Sequence, residues 1–332
     1  MQALNDLASV AFPKSWYYAC PLNGIDRRPA AVSLGRRELV AFRTAAGDAA
    51  VLDGRCVHLG AKLAAGCVVG NSLQCPMHEW KFDVHGKCVR IPASETIPEF
   101  ARQGRYTSGV LGGHLFFSNS SEPAFDLPFF AGVGPDQLHP SRPFAFDVDV
   151  PWYMVGANGF DLQHFRAAHD RTLLEEPFID QPSPFARRIR ATFSVAGNGI
   201  RDRLTRWVSG PKVTMTVTSW CGTAILVSAE FRRTTSYGMV WVTPLSPVRS
   251  RLRTIVWVPR ARTAAGRMLF DPADAAVRRS FIRTFMLDDR NRSAGIRYSP
   301  GTLIGADAVL AGYLQWLQSV AVGETWASHT GT

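Results

Sequence analysis

Two cysteine–histidine pairs stand close together early in the chain: Cys56-Val-His58-Leu-Gly-Ala and Cys75-Pro-Met-His78-Glu-Trp. Two thiolates and two imidazoles can hold a metal tetrahedrally, and both zinc and iron–sulfur chemistry accept that donor set. Spacing discriminates between them. Zinc sites usually draw both cysteines from one half and both histidines from the other, whereas here each segment supplies one of each. That pattern suits a two-iron, two-sulfur cluster in which one iron takes Cys56 and Cys75 and the other takes His58 and His78. Exchanging two thiolates for neutral imidazoles raises the reduction potential of such a centre to roughly −150 to +300 mV. Gly60, Gly66, Gly70 and Pro76 fit tight loops closing over it.

A second constellation follows: Asn158-Gly-Phe-Asp161-Leu-Gln-His164-Phe-Arg-Ala-Ala-His169. Two histidines and one carboxylate on one face leave coordination positions open for dioxygen and substrate, the arrangement of non-haem Fe(II) oxygenases. Asp161 lies one helical turn before His164 and is placed to hydrogen-bond a ligand ring nitrogen and fix its tautomer. Taken alone, this spacing also describes an ordinary core or surface helix.

The run from Cys56-x-His-Leu-Gly-Ala through Gln74-Cys-Pro-Met-His-Glu-Trp80 to Gly86-Lys-Cys-Val-x-Ile-Pro92 resembles the Rieske non-haem iron oxygenases. Glu79 departs from the pattern, which usually has glycine there. Asn158, Asp161, His164 and His169 match the family's N-x-x-D-x-x-H-x-x-x-x-H. The resemblance implies that Cys56, His58, Cys75 and His78 hold a [2Fe-2S] cluster and that His164 and His169 bind Fe(II). It also implies that Asp161 bridges to a cluster histidine of a neighbouring subunit in a homotrimer. The third iron ligand is then a carboxylate on a late helix. Asp288 and Asp289 compete for that place, and the family's spacing to a later Tyr and Pro, matched by Tyr298 and Pro300, favours Asp289. Arg292 departs from the aliphatic residue usual there. The implied fold is α+β: an N-terminal all-β Rieske [2Fe-2S] domain at 16–119, then a helix-grip (START-like) catalytic domain at 120–332 whose curved antiparallel sheet wraps a long helix. The implied activity is that of a terminal oxygenase of the monooxygenase branch, similar to the aminopyrrolnitrin oxygenase and ketosteroid hydroxylase types. Such an enzyme uses O2 to hydroxylate, demethylate or N-oxidise a hydrophobic, aromatic or polycyclic molecule. No Gly-rich dinucleotide fingerprint opens a helix, so NAD(P)H oxidation belongs to a partner reductase, acting directly or through a ferredoxin.

The elements that must position these residues read as follows. Residues 1–15 are a lead-in. Ala30–Leu34, Glu38–Arg43 and Ala49–Leu52 are short strands, His85-Gly86 turns a hairpin, and Val110–Phe117 reads as one apolar strand. Residues 120–145, rich in Ser, Pro and Phe, read as a linker wrapped over apolar surface. Asn158–His169 reads as a helix. Val213–Ser219, Ala224–Phe231, Gly238–Thr243 and Leu252–Val258 read as strands, with a break at Pro244–Pro247. Pro272 to about Gly295 is a helix stopped by Pro300, and Ala306–Val320 is a last amphipathic helix. Met154, Phe160, Phe165, Met239 and Trp241 are candidates for an apolar pocket or for plain core.

The net charge is +10, almost all of the excess arginine. Arg201 and Arg203, and Arg249, Arg251 and Arg253, recur at spacing two, which on a strand makes a solvated face or a docking surface for an acidic electron-transfer partner. No nucleic-acid-binding motif accompanies the charge. The chain shows neither a membrane-length apolar run nor a secretory leader, and the expected setting is the cytoplasm. There six cysteines are not a disulfide framework, and those outside the cluster are buried or free thiols. A second reading is an electron carrier with a non-catalytic binding domain, and a third is a zinc-organised nucleic-acid-binding protein.

Overall fold

A computed structural model of the chain describes residues 6–195, 210–299 and 301–330. Arg201, Arg203 and Pro300 lie outside the described residues. The chain divides into two compact units, one of residues 14–127 and one of 1–13 with 128–332.

The first unit is built of short antiparallel strands. Ala30–Leu34, Arg37–Arg43, Ala49–Asp53 and Arg105–Tyr106 form one sheet. Cys67–Val69, Ser72–Gln74, Lys81–Phe82 and Cys88–Arg90 form another. The expected single strand at 110–117 is two strands, Ser108–Leu111 and His114–Ser118, paired antiparallel. Gly112 and Gly113 both have positive φ (57° and 78°), as a two-residue type I′ hairpin turn requires. Apolar content hid the turn because glycine interrupts hydrophobicity without contributing polarity. Val40, Phe42, Leu52, Leu73 and Phe82 make a core that also takes in Cys56 and Cys75. His114 is buried, with its Nδ1 3.0 Å from the Tyr18 hydroxyl, and burial pushes its pKa down to about 4.

The second unit is a nine-stranded antiparallel sheet. Its strands run in the order Leu138–Pro140, Arg249–Pro259, Thr235–Ser246, Ala224–Glu230, Lys212–Trp220, Ala186–Val195 and Arg171–Leu173. Phe144–Val148 also pairs with Arg249–Pro259, and Phe178–Ser183 with Ala186–Val195. The stretch read as linker thus contributes two strands to this sheet. The lead-in contributes a strand to a separate two-stranded sheet, Val10–Pro13 against Gly323–Thr325. The break expected at Pro244–Pro247 is confined to a turn at Pro247-Val248, and the strand runs on through Pro244.

Helix α1 is Trp152–Ala157, α2 is Leu162–His169, α3 is Ala264–Ser293 and α4 is Ala308–Val320. Thr263 caps α3, whose hydroxyl accepts the Gly266 N–H, so the helix starts eight residues before Pro272 and carries that proline inside it. Proline at a first helical turn is the commoner arrangement, which is why Pro272 reads as a start. Phe160 stacks on Tyr313 of α4 at 4.3 Å in a core with Trp152, Leu314 and Leu317. No helix among the described residues is long and apolar enough to cross a membrane.

The arginines at spacing two do share the outer face of their strand. Arg251 binds Asp147 through two hydrogen bonds of 2.7 and 3.0 Å, and Arg249 lies 3.2 Å from Asp149. The Arg251 hydrogen bond holds the Asp147 carboxyl below its usual range. This face is therefore partly neutralised from within. Of the cysteines outside the cluster motif, Cys20, Cys88 and Cys221 are buried, Cys67 is exposed, and all are free thiols.

Candidate metal centres and substrate cavity

The two cysteine–histidine loops fold alike. In the first, the Cys56 N–H donates to the Ala61 carbonyl at 2.8 Å and the Gly60 N–H to the Cys56 carbonyl at 2.8 Å. In the second, the Cys75 N–H donates to the Trp80 carbonyl at 2.9 Å and the Glu79 N–H to the Cys75 carbonyl at 3.2 Å. Each loop turns on a residue of positive φ four places after its cysteine, Gly60 at 71° and Glu79 at 59°. Glu79 therefore keeps the left-handed backbone that glycine adopts freely, at a steric cost of about 1–2 kcal/mol. Cys56 and Cys75 are buried and His58 and His78 are exposed, their rings 4.9 Å apart. Trp80 stacks on His58 at 4.5 Å and 7° and fixes that ring. Gln103, which sequence reasoning missed, is buried and laces the first loop: its Oε1 accepts the Val57 N–H at 2.7 Å, and its amide donates to Asp53 and Arg55 carbonyls at 3.0 and 2.8 Å. Burial, and Cys75 beside it, push the Cys56 thiol up to about 11. Two buried sulfurs inside and two imidazoles at the rim fit a [2Fe-2S] cluster bound by two thiolates and two histidines.

The second constellation is not one helix. Asn158–Phe160 is a turn of 3-10 helix, the chain extends at Asp161, and α2 begins at Leu162. The Asp161 carboxylate accepts the backbone N–H of His164 at 3.0 Å, so it caps α2. Asp170, at φ 49°, ends the helix directly after His169. Two aspartates thus bracket the eight residues that carry both histidines. His164 Nε2 and His169 Nε2 lie 3.0 and 2.8 Å from Asp289 Oδ1 on α3, while the Asn158 amide is 3.5 Å from the other Asp289 oxygen. Asp288 is exposed. Burial acts to raise the Asp289 carboxyl, but hydrogen bonds and charge from His164 and His169 outweigh it and leave it lowered. The three donor atoms lie within 4.8 Å of one another. Neighbouring ligands on one ion with bonds of about 2.1 Å sit roughly 3 Å apart, so the His–Asp spacings fit a shared iron. Phe285, four residues before Asp289 and so on the same face of α3, stacks on His169 at 3.9 Å and 18°. That i, i+4 relation was the available signal for it.

These donors open onto an apolar cavity of about 550 Å³. Met154 and Phe165 line it; Phe160, Met239 and Trp241 do not. Strand alternation explains the last two: Ser236, Gly238 and Val240 face the cavity, so Met239 and Trp241 share the opposite, buried face. Leu252 and Thr254 likewise face inward, between the outward arginines. At Gly238 an added Cβ would come no closer than 4.0 Å to any neighbour.

The Rieske [2Fe-2S] domain family matches residues 15–101. Aminopyrrolnitrin oxygenase PrnD of Pseudomonas fluorescens is 33% identical over 175 residues, covering 49% of this chain and 47% of that protein. The match spans between 27% and 50% of the length of the curated relatives. Over nearly its whole length it is similar to two solved structures. One is the Pseudomonas putida CBB5 NdmA QL mutant with theobromine, with TM-score 0.68 and 20% identity, covering 92% of this chain and 89% of that one. The other is dicamba monooxygenase bound to 3,6-dichlorosalicylic acid, with TM-score 0.65 and 17% identity, covering 96% and 98%. The chain thus carries a Rieske [2Fe-2S] domain and has the fold of the Rieske oxygenases.

Proposed function

We propose that this chain is the terminal oxygenase of a cytoplasmic Rieske system. In this reading Cys56, Cys75, His58 and His78 hold the electron-entry cluster, and His164, His169 and Asp289 hold a single Fe(II). A separate reductase or ferredoxin supplies electrons drawn from NAD(P)H, and Asp161 bridges to the cluster of a neighbouring subunit in a homotrimer. The observation that carries the reading is the convergence of two histidines and one aspartate on an apolar cavity. Bound iron with open positions supplies dioxygen activation. The chain's own residues set the conditions for it. Asn158 steadies the far oxygen of Asp289, Phe285 holds the plane of His169, and the apolar walls limit water around the reacting molecule. The relatives are named for aminopyrrolnitrin and methylxanthine, and the cavity walls favour the same broad class, a hydrophobic and ring-containing small molecule. The reaction is its monooxygenation, by hydroxylation, demethylation or N-oxidation.

The test is iron and sulfide content with the visible spectrum of anaerobically purified protein. About three irons and two sulfides per chain are expected for one [2Fe-2S] cluster and one mononuclear site. Two irons, unchanged on adding Fe(II), would instead identify an electron carrier.

A further inference from the structure

Helix α3 presents one stripe to the cavity: Arg278, Phe281, Ile282, Phe285 and Asp289 all line it. Eleven residues are close to three whole turns, so Arg278 and Asp289 point the same way about 16 Å apart along the axis. Between them the stripe is apolar. At the far end Arg278 meets the strand edge: Nε donates to Asp274 at 2.8 Å, Nη1 to the Thr235 carbonyl at 2.9 Å and Ser236 Oγ at 2.7 Å, and Nη2 to Thr234 Oγ1 at 2.7 Å. Thr234, Ser236 and Asp274 line the cavity as well.

The direction of these bonds matters. Thr234 and Ser236 both accept from the guanidinium, so each hydroxyl still has its own proton to donate. Among the described residues neither hydroxyl has an acceptor. One Nη2 proton of Arg278 is also unspent, since a guanidinium carries five donors. Three available donors, beside the Asp274 carboxylate already held by Arg278, thus lie at the end of the cavity away from His164, His169 and Asp289, and a site so composed takes a ligand with a matching acceptor.

We propose that Arg278, Thr234 and Ser236 form a polar anchor for a carbonyl or other hydrogen-bond acceptor at one end of an elongated apolar substrate, whose opposite end reaches the iron site. This rests on the oxygenase reading for the reacting end only, because the anchor is tested by binding alone.

The experiment measures binding of 4-acetylbiphenyl and 4-ethylbiphenyl to the anaerobic protein by fluorescence titration. The two probes share length and shape and differ in the carbonyl oxygen. They are compared on the wild type, on Ser236→Ala and on the double variant Thr234→Val/Ser236→Ala. Both side chains are only part-buried, so folding should survive, and an unchanged cluster spectrum verifies it. The double variant is expected to weaken the ketone about tenfold and leave the hydrocarbon unchanged, with Ser236→Ala giving a smaller loss in the same direction. Equal effects on both probes, no effect on the ketone, or no saturable binding of the ketone would overturn the anchor. Iron content and turnover with a surrogate reductase are measured separately, so an inactive protein that still discriminates the probes would sink the oxygenase reading and leave the anchor standing.

Discussion

Asp161 has an observed duty and a proposed one, which substitution can separate. It caps α2 through the His164 N–H, and in the proposed electron path its charge faces a neighbouring subunit. Alanine removes both duties, whereas asparagine still caps. Asp161→Ala is expected to cost about 1 kcal/mol in urea unfolding and to abolish turnover while iron analysis shows both centres retained. Asp161→Asn is expected to keep the stability and still lose turnover; an active Asn variant would leave the residue as a cap alone. Glu79 offers a second residue-scale test. At φ 59° it is strained, so Glu79→Gly is expected to stabilise the cluster loop by about 1 kcal/mol, read as slower bleaching of the cluster's visible bands in denaturant.

At the scale of elements, α3 links the proposed iron site to its surroundings, because residues four apart share a face. Phe285→Leu keeps apolar bulk but removes the flat ring against His169. It is expected to weaken Fe(II) retention about tenfold in competition with a chelator, in line with other residues that orient a metal ligand. Unchanged retention would show that α2 alone fixes His169. The elements also show what the sequence discloses. Short strands such as Ala30–Leu34 were legible, because alternation and bounding turn residues are local. The break at Asp161 was not: an aspartate three places before His164 reads equally as a helical turn or as a cap, and only the backbone decides. Pro272 misplaced the start of α3 for a related reason, since tertiary contacts with the sheet hold a proline-containing helix that local propensity disfavours. The Rieske domain was legible because few chemistries fit its paired Cys/His segments, while Gln103 and the Thr234–Arg278 contact join residues too far apart in sequence for any spacing to reveal.

At the scale of the whole molecule, the pairing of Val10–Pro13 with Gly323–Thr325 joins the two chain ends of the second unit, and no local pattern announces it. A whole-molecule property that does follow from one buried group is acid sensitivity. His114 is neutral in the folded first unit, with its pKa lowered by burial to about 4, while in the unfolded chain it titrates near 6.5. The unfolded state therefore binds the proton first, and stability present above pH 6.5 is lost as pH falls toward 4. The loss is on the order of 2 kcal/mol by pH 5. Urea midpoints of the full chain should fall between pH 7 and pH 5, and His114→Gln should flatten that fall. An identical slope in the variant would assign acid sensitivity to other groups.

Gly238 sits mid-strand on the cavity wall, with nothing within reach of the Cβ it lacks beyond a carbonyl at 4.0 Å. A methyl there would meet empty space and would favour the strand conformation over glycine. The unit can thus change the girth of what it admits by a single small substitution whose Cβ meets no atom closer than 4.0 Å. Within a lineage of such chains, this one position would act as an adjustable stop: alanine or valine would narrow the bore in steps, and glycine would keep it at its widest.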